Sequence, residues 1–97
     1  MSAMWHVEGF DARGDPAALE QFLKERFLPY FRECGFSVRC FATRASLGPR
    51  QFWLATGMEG FGSIDGWADQ AGAEGAQLIA ELLTSVERLQ AAVVEEL

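Results

Sequence analysis

The chain lacks the patterns that mark several large classes of protein. Its 97 residues contain no run of 18 apolar residues, so a membrane-spanning helix is not predicted. No charged-then-apolar leader opens the sequence, and we therefore expect a cytoplasmic protein with no membrane partner. Lys and Arg number 8 against 14 Asp and Glu, which gives a formal charge of -6. The basic stripe that nucleic acid requires is absent, so no nucleic-acid partner is expected.

Cysteine and histidine are also scarce. Cys34 and Cys40 lie six positions apart without forming a C-x-x-C pair, and we expect both to be free thiols. His6 is the single histidine, and the pattern supplies no further ligands that would complete a metal site with it. We therefore predict neither a metal nor another cofactor.

What the sequence does contain is one uninterrupted series of helical and strand patterns. No linker or repeat divides it, so residues 1–97 are expected to form a single domain. Period-two alternation predicts strands over residues 4–10, 37–44 and 51–57, with a hairpin turn at 47–50 between the second and third.

The first helix has clear start and stop signals. Asp15 followed by Pro16 predicts its N-terminus, and Gly35 predicts its end. Pro29 lies inside the helical pattern and removes a backbone donor, so we expect a kink near Glu25 or Arg26, or a restart of the helix. A second helical region is predicted over residues 63–71 and 73–83, with an interruption at Gly72.

The end of the chain fits two patterns. Apolar residues from Leu78 to Leu97 are spaced as in one continuous helix, yet Leu89, Ala91 and Val93 also follow a strand period. The interruption at Thr84-Ser85 favours a fourth strand over residues 87–95. The order β-α-β-β-α-β then predicts an α+β, ferredoxin-like fold, with a four-stranded antiparallel sheet and both helices on one face.

That arrangement leaves one face of the sheet uncovered. In the first strand we expect Trp5, Val7 and Gly9 to face the helices, and Met4, His6, Glu8 and Phe10 to face outward. Arg39, Phe41 and Trp53 are predicted to share this outward face, which makes it a mixture of aromatic and ionisable groups. A second copy of the chain would cover it, and simple solvation is the alternative.

The chain resembles the dimeric α/β barrel superfamily, which includes antibiotic-biosynthesis monooxygenase-like and NIPSNAP-like proteins. The stretches that carry the resemblance are Met4 to Gly9, Arg26-Phe27-Leu28-Pro29-Tyr30-Phe31 through Glu33 to Gly35, Phe61-Gly62-Ser63-Ile64 with Trp67, and Val86 to Leu97. The resemblance implies a homodimer whose two sheets form a barrel, with a small-molecule pocket beside the helices or inside the barrel. Monooxygenase and haem-degrading branches place Asn, Trp, His or Tyr around an aromatic substrate, and this chain departs from them in having no Asn.

The ionisable candidates for chemistry lie on the predicted strands. His6 and Glu8 are two residues apart, so they share a face and can act as general base and orienting group. Arg39 and Arg88 are expected on one sheet face, where they could clamp a carboxylate or an enolate. Alternatively, the arginines form ion pairs across a dimer with Glu8 or Glu87.

Three aromatic residues complete the candidate ligand site. Phe41 and Trp53 offer flat surfaces to an aromatic compound, although such residues also occur as interface packing. Trp67 could form a pocket wall or belong to the core. Two functions follow: a homodimeric α/β barrel protein that binds a small molecule, or a cofactor-independent monooxygenase or isomerase-like enzyme acting on a small aromatic or polyketide-like compound.

Overall fold

The structure is a computed structural model that describes residues 4–44, 50–57 and 68–97. The four strands are β1 (Met4–Ala12), β2 (Val38–Ala42), β3 (Gln51–Gly57) and β4 (Val86–Glu95). The helices are α1 (Pro16–Phe22), α2 (Leu28–Glu33) and α3 (Ala68–Ser85), and a π-helical turn (Leu23–Phe27) joins α1 to α2. The predicted order β-α-β-β-α-β is confirmed.

The four strands form one antiparallel sheet in the order β2-β3-β1-β4. Helices cover one face of it, which we call the helix side, and the opposite face is called the open face. The core lies between the sheet and the helices. Its largest fully buried side chains are apolar apart from Thr56, and they comprise Phe27, Phe31, Phe52, Leu82 and Val86.

The first helical segment begins where predicted and contains the predicted irregularity. Asp15 Oδ1 accepts a hydrogen bond from the Ala17 amide at 3.0 Å, and Pro16 occupies the first turn. Pro29 cannot donate a backbone hydrogen bond, and its ring crowds the carbonyl one turn earlier. The chain accommodates it by widening the preceding turn, so that the Leu28 amide donates to Leu23 O. The predicted cap at Gly35 is also confirmed, with φ 92°.

Helix α3 is interrupted at Gly72, as the sequence predicts. Gly72 has φ 76° and ψ -174°, a region that residues with a Cβ rarely adopt. The break is bound to the first helical segment, because the Tyr30 hydroxyl donates to Ala71 O at 2.6 Å. The helix then runs to Ser85, where the Thr84 and Ser85 hydroxyls both donate to Glu81 O.

The chain end forms a strand rather than a longer helix, so the preferred prediction is confirmed. Strand β4 begins directly after Ser85 and pairs with β1 along its length. Its first residue, Val86, is 1% exposed and belongs to the core, whereas the rest of the strand is exposed. Strand β4 therefore forms an edge of the sheet that is anchored at its start.

The predicted assignment of the two faces of β1 is wrong. The register pairs Glu8 with Leu54 and Phe10 with Phe52, and both partners lie in the core. Even-numbered residues of β1, including Met4 and His6, therefore lie on the helix side. The odd-numbered residues, including Trp5 and Val7, lie on the open face. The ionisable His6 and Glu8 had indicated an outward face, but Glu8 is buried on the helix side, where Arg88 compensates its charge.

Two predicted features fall outside the described residues. They are most of the turn at 47–50 and the segment 63–67 that contains Trp67. Among the helices in the described part of the chain, none is both long and apolar enough to cross a membrane.

Candidate functional site

Three ionisable side chains meet on the helix side of the sheet, and we call them the helix-side cluster: His6, Glu8 and Arg88. The Glu8 side chain is 5% exposed, and both of its carboxylate oxygens accept from Arg88 Nη2, at 3.2 and 3.0 Å. His6 Nδ1 lies 3.7 Å from Glu8 Oε1. A buried carboxylate needs such partners, because loss of hydration without compensation is costly.

A bulge in β4 creates this cluster. The register of β4 against β1 shifts between Gly9 and Phe10, so that Leu89 is an extra residue on the β4 side. Strict alternation would put Arg88 on the same face as Gln90 and Ala92. The extra residue reverses this, and Arg88 shares the helix side with Val86. The expectation that Arg39 and Arg88 lie on one face is therefore wrong.

His6 lies beside Glu8 without a formed hydrogen bond between the two side chains. Its side chain is 14% exposed, and the 3.7 Å contact with Glu8 is longer than a hydrogen bond. A small movement of either side chain would let Nδ1–H donate to Glu8, and this would leave Nε2 with its lone pair available. Arg88, 41% exposed, connects the buried Glu8 to the surface at the edge of the sheet.

The open face carries a different set of side chains. The Arg39 guanidinium lies over the Trp5 ring, 5.2 Å from its centre. Trp53 lies flat against Gly9, so closely that a Cβ added there would be 2.8 Å from the ring. Phe41 is 57% exposed and pairs with Trp53 across β2 and β3.

A shallow hollow of about 390 Å³ lies on this face. Its lining includes Trp5, Val7, Arg39 and Phe41, together with Val94, Glu95 and Glu96 at the far edge of the sheet. The hollow is therefore mostly apolar in the middle and charged at its ends.

The sheet thus divides the residues predicted to form one site. His6, Glu8 and Arg88 lie on the helix side, and Arg39, Phe41 and Trp53 lie on the open face. Trp67 lies outside the described residues. Trp5 belongs to the open-face group, although its position in the strand had indicated the core. Only the cross-strand register with β3 reveals this, and no local signal in the sequence carries it.

Two further ionisable groups have shifted pKa values but lie apart from the helix-side cluster. Burial raises the pKa of the Cys40 thiol to about 11; nearby Arg32 acts in the opposite direction and Glu20 adds to the increase. Hydrogen bonding and charge attraction from Arg50 hold the pKa of Glu20 below its usual value. In the part of the chain that the structure describes, no three His, Cys, Asp or Glu side chains are grouped so that they could hold a metal ion.

Comparison with known proteins gives one informative result. No protein-family model matches the sequence, and no curated protein matches it either. Among solved structures, the chain is similar to a mutant form of SnoaB, a cofactor-independent oxygenase from Streptomyces nogalater. The TM-score is 0.63 at 16% sequence identity, and the match covers 97% of this chain and 92% of that one. The likeness confirms the ferredoxin-like α+β fold that the resemblance to antibiotic-biosynthesis monooxygenase-like proteins implies.

Proposed function

We propose that this chain is a cofactor-independent enzyme that removes a proton from a small aromatic compound on the helix side of the sheet. The observation that carries the proposal is the buried Glu8, held by Arg88 and 3.7 Å from His6. Paired buried ionisable groups of this kind are found at active sites, where each partner sets the orientation or protonation of the other.

In this proposal His6 is the general base and Glu8 is a positioning residue. Glu8 accepts the Nδ1 proton, so the ring presents Nε2 to an acidic C–H or phenolic O–H of the substrate. Arg88 Nη2 donates to both Glu8 oxygens and so fixes their position. The product of the step is a substrate anion with its charge spread over the aromatic system.

The similarity to SnoaB supports an oxygenase as the specific type of enzyme. SnoaB is described as a cofactor-independent oxygenase, and its chain shares this fold over almost its whole length. Without a cofactor, the electrons that reduce O₂ must come from the substrate. Removal of a proton makes an aromatic substrate richer in electrons, so the proposed role of His6 fits that chemistry.

The test uses a panel of phenolic aromatic ketones in deuterated buffer. Exchange at the acidic carbon is followed by NMR, and oxygen uptake is recorded separately. His6→Gln should lower the exchange rate constant at least about 100-fold, in line with the usual contribution of a general base. Glu8→Gln should lower kcat with little change in KM, whereas the exposed helix variant Glu33→Gln should leave both values unchanged.

A second candidate function is binding without catalysis. The gap of 3.7 Å between His6 and Glu8 favours it, since it exceeds the distance of a formed hydrogen bond. A compound that raises the thermal midpoint of the protein but shows neither exchange nor oxygen uptake would support binding alone and contradict the enzyme.

The chain is further proposed to act as a homodimer through its open face. Phe41 and Val94 are 57% and 43% exposed, and Trp5 and Trp53 lie between them at the surface. Soluble monomers seldom leave such a continuous apolar patch uncovered. A stable interface buries about 1,600 Å² in total, and one face of a four-stranded sheet is a suitable half of that area.

A further inference from the structure

Apolar side chains remain exposed on the helix side of the sheet, beside the helix-side cluster. Met4 and Val93 are 46% and 52% exposed, and Ala91 is exposed as well. The strand register places all three on the same face as the cluster, with Val93 opposite His6 and Ala91 opposite Glu8. We call Met4, Ala91 and Val93 the helix-side strip. In β4 only the first residue is buried, so the described helices do not cover this strip.

The buried and the exposed neighbours of His6 lie on different sides of it. Among the described residues, Glu8 lies two positions along β1 and is 4% exposed, and Thr56 lies opposite His6 on β3 and is 2% exposed. The exposed neighbours are Met4, at the start of β1, and Val93, on β4. A substrate therefore reaches the imidazole over β4 rather than over β3.

The proposed dimer leaves the helix-side strip uncovered. Val94, the residue after Val93, is 43% exposed and lies on the open face, where the partner's sheet would cover it. Val93 points the opposite way, so the same contact cannot cover it. The apolar surfaces on the two faces of β4 therefore need two different occupants.

A small aromatic compound suits the strip as its occupant. Small-molecule sites combine an apolar surface with a few polar groups that fix orientation, and here the strip adjoins His6 and the ion pair of Glu8 with Arg88. Directly opposite residues in an antiparallel sheet have Cβ atoms about 5 Å apart. A ring that lies on Val93 therefore has its edge beside the imidazole, where a proton can be transferred.

We infer that the aromatic ring of the substrate lies on Val93, and that Val93 is the specificity-determining residue of the site. The inference rests on the proton-transfer reaction proposed above and adds the surface that selects the substrate. The Val93 side chain has no polar atom, so it contributes to binding and not to the chemical step. Loss of its apolar surface should raise KM without lowering kcat.

The test compares ortho-hydroxyacetophenone with ortho-hydroxyacetonaphthone, whose second ring covers more of the strip. Exchange of the acetyl protons is followed in deuterated buffer. Val93→Ser should raise KM for the naphthyl compound by about fivefold or more, and less for the phenyl compound, while kcat changes by less than about twofold. Val93→Ile keeps an apolar side chain and should keep KM close to that of the unmodified protein. Leu97→Ser is the matched control, because Leu97 is exposed and lies outside the strip.

Isothermal titration with the naphthyl compound measures binding separately from exchange, and circular dichroism verifies that each variant is folded. If the unmodified protein exchanges the protons and Val93→Ser behaves as Leu97→Ser does, the role of Val93 is wrong while the proposed reaction stands. If Val93→Ser weakens binding but no protein exchanges the protons, the reaction is wrong while the contact stands. Absence of both binding and exchange contradicts both. If Val93→Ser weakens self-association in analytical ultracentrifugation and leaves KM unchanged, a second copy occupies the strip and the inference is wrong.

Discussion

Gly9 gives Trp53 its place on the open face. The indole ring lies where any side chain at position 9 would be, and a Cβ there would approach three ring carbons at 2.8 to 3.0 Å. The absence of a side chain on β1 therefore lets an aromatic residue from β3 lie flat across two strands. This contact keeps Trp53 partly buried before any partner is considered.

Gly9→Ala should destabilise the fold, because the ring or the strand must move to admit the methyl group. We expect a loss of about 1 to 3 kcal/mol in the free energy of unfolding, as for other overpacked sites. Urea denaturation followed by tryptophan fluorescence measures it. Gly14→Ala is the matched control, since nothing lies within 4 Å of its Cβ position. Equal effects of the two substitutions would contradict the role assigned to Gly9.

The two cysteines should differ in reactivity. Cys34 is exposed, whereas burial raises the pKa of Cys40 to about 11. A raised pKa keeps the thiol protonated up to that pH, and the thiolate is the reactive form. At pH 8 iodoacetamide should modify Cys34 first, as mass spectrometry of the digested protein would show. Cys40 should become reactive as the pH approaches 11 or when urea unfolds the chain; rapid modification of Cys40 in the folded protein at pH 8 would contradict this.

At the scale of secondary-structure elements, the attachment of helix α3 to α2 depends on the break at Gly72. Gly72 adopts φ 76° and ψ -174°, and the carbonyl of Ala71 next to it accepts the Tyr30 hydroxyl. The break therefore connects α3 to α2 by a hydrogen bond that a continuous helix could not make. Burial also raises the pKa of Tyr30, in keeping with a hydroxyl that acts as a donor.

Gly72→Ala should cost about 1 to 3 kcal/mol, because alanine is strained in this backbone region. Tyr30→Phe should cost about 1 kcal/mol through the lost hydrogen bond. The two effects should not add in the double variant, since both disturb the same junction. Thermal denaturation of the four proteins provides the comparison, and strict additivity would show that the junction does not act as a unit.

The element order, the caps and the irregularity near Pro29 could be predicted because each has a local cause. Asp15, Pro29 and Gly72 act on the backbone within one or two turns. The faces of β1 could not be predicted, because their orientation depends on Phe52 and Leu54 in another strand. The ion pair of Glu8 with Arg88 was expected only across a dimer; its formation within one chain could not be predicted, since the bulge at Leu89 exists only in relation to β1.

At the scale of the whole molecule, the small number of layers of secondary structure limits how much surface the fold can bury. The protein measures 36 × 36 × 19 Å, so it is a slab of one sheet and one helix layer. A slab has a large surface for its volume, and a domain of this length buries only about 60 to 65% of the surface of its unfolded chain. Covering the open face would add a third layer, made by the partner's sheet.

The proposed dimerisation should make thermal stability depend on protein concentration. Because unfolding of a dimer releases two chains, each tenfold increase in concentration should raise the thermal midpoint by about 3 to 5 °C. Differential scanning fluorimetry over a 100-fold range of protein concentration measures how the thermal midpoint changes. Phe41→Lys places a charge within the apolar patch of the open face and should remove the dependence. A flat response in the unmodified protein would argue against the dimer.

The bulge in β4 has a consequence for how the protein can change. One inserted residue, Leu89, shifts the alternation of the strand. Before it, Val86 and Arg88 face the helix side; after it, Ala91 and Val93 face that side, and Ala92 and Val94 face away from it. Substitutions at Ala92 and Val94 can therefore alter the proposed subunit contact, because these two side chains lie on the opposite face from Glu8 and Arg88. Deletion of Leu89 would convert the bulge into a regular ladder, with Arg88 still opposite Phe10 and Gln90 still opposite Gly9, so every side chain would keep its face.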